Sequence, residues 1–307
     1  MHLRAITPLL LGVLLSLSSL AGDARAADVT TYVSGVTAAS DIAWDASGAM
    51  YVSGSAGGVG QVYKIAPGGG SFTTFATGFT IPYGLAFSTT GDLYVADRVG
   101  MTAANGRIWK VTPAGVATVF ASGLFDPMFL EFDDAGDLYV TEWNGRNLKR
   151  VSPAGVVSMV VAGLGAIGEE CGGLKIMPSG DIYVGAGPNL KKVGPGGSPI
   201  TVVASGLGAL VGLDRDSDGN FFFARGALHD IWNIPAAGAG SKYTGWSIGC
   251  VDGPVATASF SQPVGLRLHD GVLYIADRNC HRVRTIDLNG PTPAASATWG
   301  RVKSTYR

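Results

Sequence analysis

The sequence predicts an all-β fold: a six-bladed β-propeller with four antiparallel strands per blade and the N-terminal strand closing the last blade. Three observations carry that prediction. A segment ending in an aromatic residue recurs six times. Strands of four to six residues, rich in Val, Ile, Tyr and Phe, alternate with turns of Gly, Pro, Asp and Asn. No stretch after the N-terminal leader shows helical periodicity of useful length. The recurring segments are Gly48-Ala-Met-Tyr51, Gly91-Asp-Leu-Tyr94, Gly136-Asp-Leu-Tyr139, Gly180-Asp-Ile-Tyr183, Gly219-Asn-Phe-Phe222 and Gly271-Val-Leu-Tyr274. Their closing aromatics lie 43, 45, 44, 39 and 52 residues apart, a period that marks a repeat architecture.

Taken in order, residues 1–26 read as a signal peptide. Met1 to Arg4 is basic, Leu9 to Leu20 is apolar, and Ala24-Arg25-Ala26 offers the small-x-small cleavage pattern, placing the mature start near Ala27. The apolar run is too short for an ordinary membrane span. The product is expected to be exported, periplasmic or secreted, without membrane insertion. Residues 27–307 then form a single domain. Thr31-Tyr-Val-Ser-Gly-Val36 matches the pattern of a fourth strand but has no three strands before it. A strand at 30–36 is therefore expected to pair into the last blade and hide a sheet edge.

Blades are expected near 38–79, 80–124, 125–164, 165–207, 208–248 and 262–300. Each opens with an inner strand such as Gly84-Leu-Ala-Phe87, turns through a glycine hairpin into the aromatic signature, and continues into a third strand such as Arg107-Ile-Trp-Lys-Val111. A fourth strand ends at a small-Gly-apolar corner, as in Phe120-Ala-Ser-Gly-Leu124. The hairpin glycines supply positive φ. In the last unit the fourth strand is only a weak Ala297-Thr-Trp299, and the tail 301–307 should lie outside the ring.

Composition narrows the function. Of 307 residues, 47% are hydrophobic and 15% charged, enough to bury a core and unlike a disordered chain. A net charge of −1 gives no footprint for nucleic acid. The chain is expected to be a monomer. Three cysteines, Cys171, Cys250 and Cys280, allow one disulfide in an exported protein. Cys250, in the long insertion entering blade 6, and Cys280, after that blade's second strand, should share a rim. Their pairing would pin the Tyr243–Phe260 insertion over the mouth. Cys171 reads as a buried small residue.

Asp252-Gly-Pro, Pro263-Val-Gly-Leu266 and Leu273-Tyr-Ile-Ala-Asp-Arg-Asn-Cys-His-Arg-Val283 resemble an NHL repeat, and Pro82-Tyr-Gly-Leu85 with Tyr94-Val-Ala-Asp-Arg98 repeats the pattern. The chain resembles the NHL-repeat and SMP-30 (gluconolactonase-like) six-bladed propellers over its mature length. Leu138-Tyr-Val-Thr-Glu-Trp-Asn144 is also similar to streptogramin-lyase and YWTD repeats. That resemblance implies a site at the channel mouth where inner strands begin, with Glu, Asn and Asp holding a divalent metal in the gluconolactonase-like enzymes. The positions opening the six inner strands here are Ser40, Tyr83, Met128, Gly172, Val211 and Val264. None is an acid, amide or histidine, so neither that metal set nor a histidine-zinc set carries over.

Other candidates lie in the loops. Asp214, Asp216 and Asp218 have the start of a calcium loop, but Arg225 stands where a bidentate Glu is needed and the segment aligns with a plain hairpin turn. No cofactor is expected beyond a possible divalent metal such as calcium. After the second strands stand Gly54, Asp97, Glu142, Ala186, Arg225 and Asp277. The simpler reading of Asp97, Glu142 and Asp277 is that they tie loops, with Arg98 and Arg278 as partners. Arg98, Trp143, Asn144, Arg225, Trp246 and Arg278 would line a binding mouth, because aromatics with Arg on a rigid rim make good anchors. The expected function is recognition of a small molecule, glycan or protein at that top-face mouth. The alternative is a hydrolase or lyase for a lactone, ester or cyclic peptide, using Glu142, Glu169, Glu170, His229 and His281. A structural envelope protein is a third possibility.

Overall fold

The computed structural model describes residues 27–100 and 104–289, and within them 25 β-strands, three 3-10 turns and no α-helix. The segment 1–26 expected to be a signal peptide, the strand expected at 297–299 and the tail 301–307 lie outside the described residues. Strand β1 (Asp28–Ser34) precedes the first blade. Blade 1 comprises β2 (Ile42–Trp44), β3 (Met50–Ala56), β4 (Val59–Ile65) and β5 (Phe72–Phe79); blade 2 comprises β6 (Pro82–Phe87), β7 (Leu93–Asp97), β8 (Gly106–Val111) and β9 (Ala117–Leu124). Blade 3 is β10 (Pro127–Phe132), β11 (Leu138–Glu142), β12 (Asn147–Val151) and β13 (Val157–Val161). Blade 4 is β14 (Cys171–Ile176), β15 (Ile182–Ala186), β16 (Asn189–Val193) and β17 (Ile200–Ala204). Blade 5 is β18 (Leu213–Arg215), β19 (Phe221–Arg225), β20 (Asp230–Ile234) and β21 (Ser241–Thr244).

Blade 6 departs from the pattern. Its sheet has five strands in the order β22 (Gly253–Pro254), β1, β25 (Arg282–Asp287), β24 (Val272–Asp277) and β23 (Pro263–His269). The N-terminal strand does close the ring, two residues earlier in the chain than the pattern predicts. A two-residue strand from the blade 6 insertion then covers its outer edge, at Asp28↔Pro254 and Val29↔Gly253. The expectation that Tyr243–Phe260 lies over the mouth is thereby corrected. Tyr243 belongs to β21, the outer strand of blade 5, and the chain after it runs outward along blade 6. Backbone amides of the ring-closing strand need partners on both sides, and this segment meets the first part of its outer edge, with Asp252 accepting the Thr31 amide.

The repeat aromatics are spacers between blades. Tyr51 sits edge-on between Phe75 of its own outer strand and Phe87 of the next inner strand, at 4.8 and 4.9 Å. Tyr94 repeats the arrangement between Phe120 and Phe132, at 4.9 and 5.0 Å. Edge-to-face pairs of this kind add roughly 0.5–1.5 kcal/mol beyond their buried area. That recurrence explains why one aromatic per blade is the most legible feature of the chain.

Near the axis the blades touch backbone to backbone. A Cβ on Gly84 would lie 2.5 Å from the Met128 carbonyl oxygen, and one on Gly173 2.6 Å from the Leu213 nitrogen. These positions accept only glycine because the adjacent inner strand occupies the space of a side chain. At the equivalent position of blade 3 stands Phe129, 1% exposed. Its ring packs with Tyr83, Met128, Val211 and Val264 on one side and meets the Arg267 guanidinium at 5.9 Å on the other. Along its strand Phe129 thus lies between the apolar tier at one end of the ring and the charged residues at the other.

Candidate functional site

The upper mouth is the end where inner strands begin and second strands finish, as the pairs Pro82↔Asp97, Pro127↔Glu142 and Pro263↔Asp277 show. Its floor is the apolar tier Tyr83, Met128, Val211 and Val264, all buried. Arg98 forms a bidentate pair with Asp126 of the next blade, whose second oxygen also accepts from Asn144 Nδ2 at 2.6 Å. Arg278 donates to Ser40 Oγ and to the Tyr83 hydroxyl, both at 2.8 Å. The Tyr83 ring is close to both guanidiniums, 4.8 Å from Arg98 and 5.1 Å from Arg278. Arg98 is neutralised by Asp126. Arg278 is half-buried, and among the described residues no carboxylate pairs with it.

The acids after the second strands tie loops, but not to the arginines expected. Asp97 accepts the Thr80 and Ile81 amides at 2.8 Å and pairs with Arg107 and the Trp109 indole of its own blade. Glu142 accepts the Phe125 amide at 2.8 Å, Asn147 at 2.7 Å and Lys149 at 2.9 Å. Asp277 accepts the Ser261 amide and pairs with Arg284, which is fully buried. Burial pushes the Asp277 carboxyl up to about 6, against the opposing pull of that amide and Arg284. In blade 5 the polarity inverts. Arg225 holds the entry loop by donating to the Leu207 carbonyl at 2.7 Å, and Asp230 neutralises it.

The two histidines have matching structural duties. Each follows a one-turn 3-10 segment in the left-handed region, at φ +59° for His229 and +55° for His281. His229 Nδ1 accepts the Gln262 amide at 2.9 Å, and His281 Nδ1 accepts the Ala38 amide at 3.2 Å. Each ring thus staples its blade to the next and, when neutral, keeps its proton on Nε2. Glu169 accepts the Ala166 amide within its own loop, and Glu170 is half-buried beside it. The five acid-base candidates are spread over four blades, and four of the five accept a backbone amide that fixes a loop. Trp143 packs partly buried against the upper-mouth cluster. Trp246 is 58% exposed and stands 5.2 Å from Lys242 of the outer strand β21, away from the axis.

The acids of the calcium-loop candidate have separate surroundings. Asp214 accepts from Lys175 and from the Leu268 amide, Asp216 from both nitrogens of Asn220, and Asp218 is exposed. Among the described residues no group of three or more His, Cys, Asp or Glu is placed to hold a metal ion. Cys250 and Cys280 form a disulfide with Cα atoms 5.7 Å apart. Cys171 is buried, and burial pushes its thiol up to about 12, which leaves it unreactive.

A second, lower mouth lies at the opposite end of the inner strands. The inner-strand residue opposite each repeat aromatic is Ala43, Ala86, Glu131, Lys175, Asp214 and Arg267 in turn. All six line one cavity of about 390 Å³. Lys175 bridges Glu131 at 3.2 Å and Asp214 at 3.0 Å, while Arg267 pairs with Asp41 through both carboxylate oxygens. Burial pushes the Asp41 and Glu131 carboxyls up. It opposes the charge on Lys175, but the Glu131 and Asp214 carboxylates outweigh it and push that ammonium up. The signal was available: aligning the residue after Ile42, Leu85, Leu130, Leu174, Leu213 and Leu266 yields four charges in strands that otherwise alternate apolar and small residues.

No protein-family model matches the chain, and no curated protein matches it in sequence. Solved structures match its fold. An auxiliary nutrient binding protein from Bacteroides thetaiotaomicron superposes with a TM-score of 0.72 at 14% identity, over 85% of this chain and 76% of that one. A gluconolactonase from Xanthomonas campestris gives 0.66 at 15%, over 86% and 91%. Virginiamycin B lyase from Staphylococcus aureus gives 0.61 at 13%, over 85% and 99%. At such identities the likeness establishes the six-bladed architecture, which hosts binding proteins and enzymes alike.

Proposed function

We propose that this chain is an exported recognition module, periplasmic or secreted, that binds a small molecule or glycan carrying an anionic group at its upper mouth. One observation carries the reading. The Arg278 guanidinium is held by Ser40 and Tyr83 over an apolar floor, with no carboxylate beside it among the described residues. Guanidinium presents several donors in a fixed fork that suits a carboxylate or phosphate, and two hydroxyl contacts occupy only one of its nitrogens. The arginines at 98 and 225 are spent on Asp126 and Asp230 and serve the frame. The nutrient-binding neighbours agree with a binding role, and the Cys250–Cys280 disulfide suits an oxidising compartment.

A panel of sugars, sugar acids, amino acids and short peptides, scored by thermal shift and then calorimetry, tests the reading. Anionic members are expected to raise the melting temperature above their neutral counterparts. Arg278→Ala is expected to weaken the best of them tenfold or more, about 1.4 kcal/mol, and Arg278→Lys by less. Equal binding of neutral analogues, or binding indifferent to Arg278→Ala, would falsify it.

A further inference from the structure

We propose that the lower mouth is a second, independent binding site, and that it takes a small organic ammonium ion. The first argument is room. Ala43 and Ala86 occupy, in blades 1 and 2, the register that carries Glu131, Lys175, Asp214 and Arg267 in blades 3 to 6. Two missing side chains open one side of the ring, and the resulting cavity of about 390 Å³ falls within the range of small-ligand pockets. Trp44, Phe87 and Phe132 complete its wall beside the alanines. One half is thus apolar and the other half is charged.

The second argument is charge. Among the described residues, Asp41, Glu131 and Asp214 pair with only Lys175 and Arg267, which leaves one carboxylate in excess when all are ionised. The partners locate the excess. Asp41 takes both Arg267 contacts and the Leu85 amide, and Asp214 takes Lys175 with the amides of Arg215 and Leu268. Among the described residues Glu131 has one ion pair, with Lys175, and accepts the Ile176 amide, while Arg267 acts on it only from farther off. A carboxylate offers about four acceptor positions, so Glu131 retains unused ones at the edge of the cavity. It also lines a neighbouring cavity of about 380 Å³ together with Asp133 and Asp134, so the approach to it is negative. A protonated amine would supply the missing cation at Glu131 while its hydrocarbon part rests on Ala43, Ala86 and the aromatic wall. Uncompensated charge near a low-dielectric wall is costly, so a matching cation is favoured over a neutral molecule of the same shape.

Cyclohexylammonium and cyclohexanol share a skeleton and differ in charge, so titrating each into the full-length protein by calorimetry and thermal shift tests the proposal. The ammonium is expected to bind and the alcohol to bind at least tenfold more weakly. Glu131→Gln keeps an acceptor for the Ile176 amide and is expected to reduce ammonium binding tenfold or more. Ala43→Leu fills the open side and should abolish it, with each variant's fold checked by its melting transition. Equal binding of the alcohol, ammonium binding that survives both substitutions, or no binding at millimolar concentration overturns the proposal. Arg278 lies at the other mouth, so failure here leaves the anion site standing, and the reverse holds too.

Discussion

At the scale of single residues, the positions after the second strands show how one structural duty is met by opposite charges. Asp97, Glu142 and Asp277 accept amides from the entry loops, whereas Arg225 donates to a carbonyl in the same place. The positions are legible in the aligned repeats but their partners are not, because the partners come from the entry loop and the third strand, both distant in sequence from the second. Asp277 has a measurable consequence. Its carboxyl titrates near 6 in the folded chain, above the ordinary 3.8, so the native state holds a proton that the unfolded state releases. Its contribution to stability is full below pH 3.8 and is lost as pH rises through 6. Relative to Asp277→Asn, the native protein is expected to lose on the order of 2–3 kcal/mol between pH 4 and 7. Denaturant midpoints across that range check it, and parallel pH profiles for the two proteins would contradict it.

At the scale of elements, the blade strands were legible because each repeats the same alternation and the same turn glycine. The insertion before blade 6 was not. Gly253–Pro254 is too short to show any period, and its pairing with β1 joins segments more than 200 residues apart. The cysteines disclosed the tether but not the direction of the loop. Arg284 secures that loop from within, through the Ser259 and Val251 carbonyls and Asp252, at 2.8, 2.6 and 2.6 Å. The Cys250–Cys280 bridge closes 30 residues of chain, for which loop entropy gives about 3–4 kcal/mol. Replacing both cysteines by alanine is expected to lower stability by that order and to speed amide exchange across 245–262 first. An unchanged denaturant midpoint would show that Arg284 alone fixes the segment.

At the scale of the whole molecule, the ring depends on β1. Val29 and Val33 are 0% and 2% exposed and enter two different interblade clusters. Burying each is worth roughly 1.5–3 kcal/mol, and their strand also occupies the open edge of β25. A chain beginning at residue 36 is expected to melt earlier and to associate through that edge, seen by light scattering behind size-exclusion chromatography. A monomeric product with native melting would contradict the closure argument. The lower mouth escaped sequence reading for a reason at this same scale: its six lining residues come from six blades and acquire meaning only when the circle is drawn. Phe129 and the inner glycines give that circle a further property. Buried side chains stand between the arginine-bearing rim and the ring of alternating charges at the far end, so each end can change its preference without disturbing its twin.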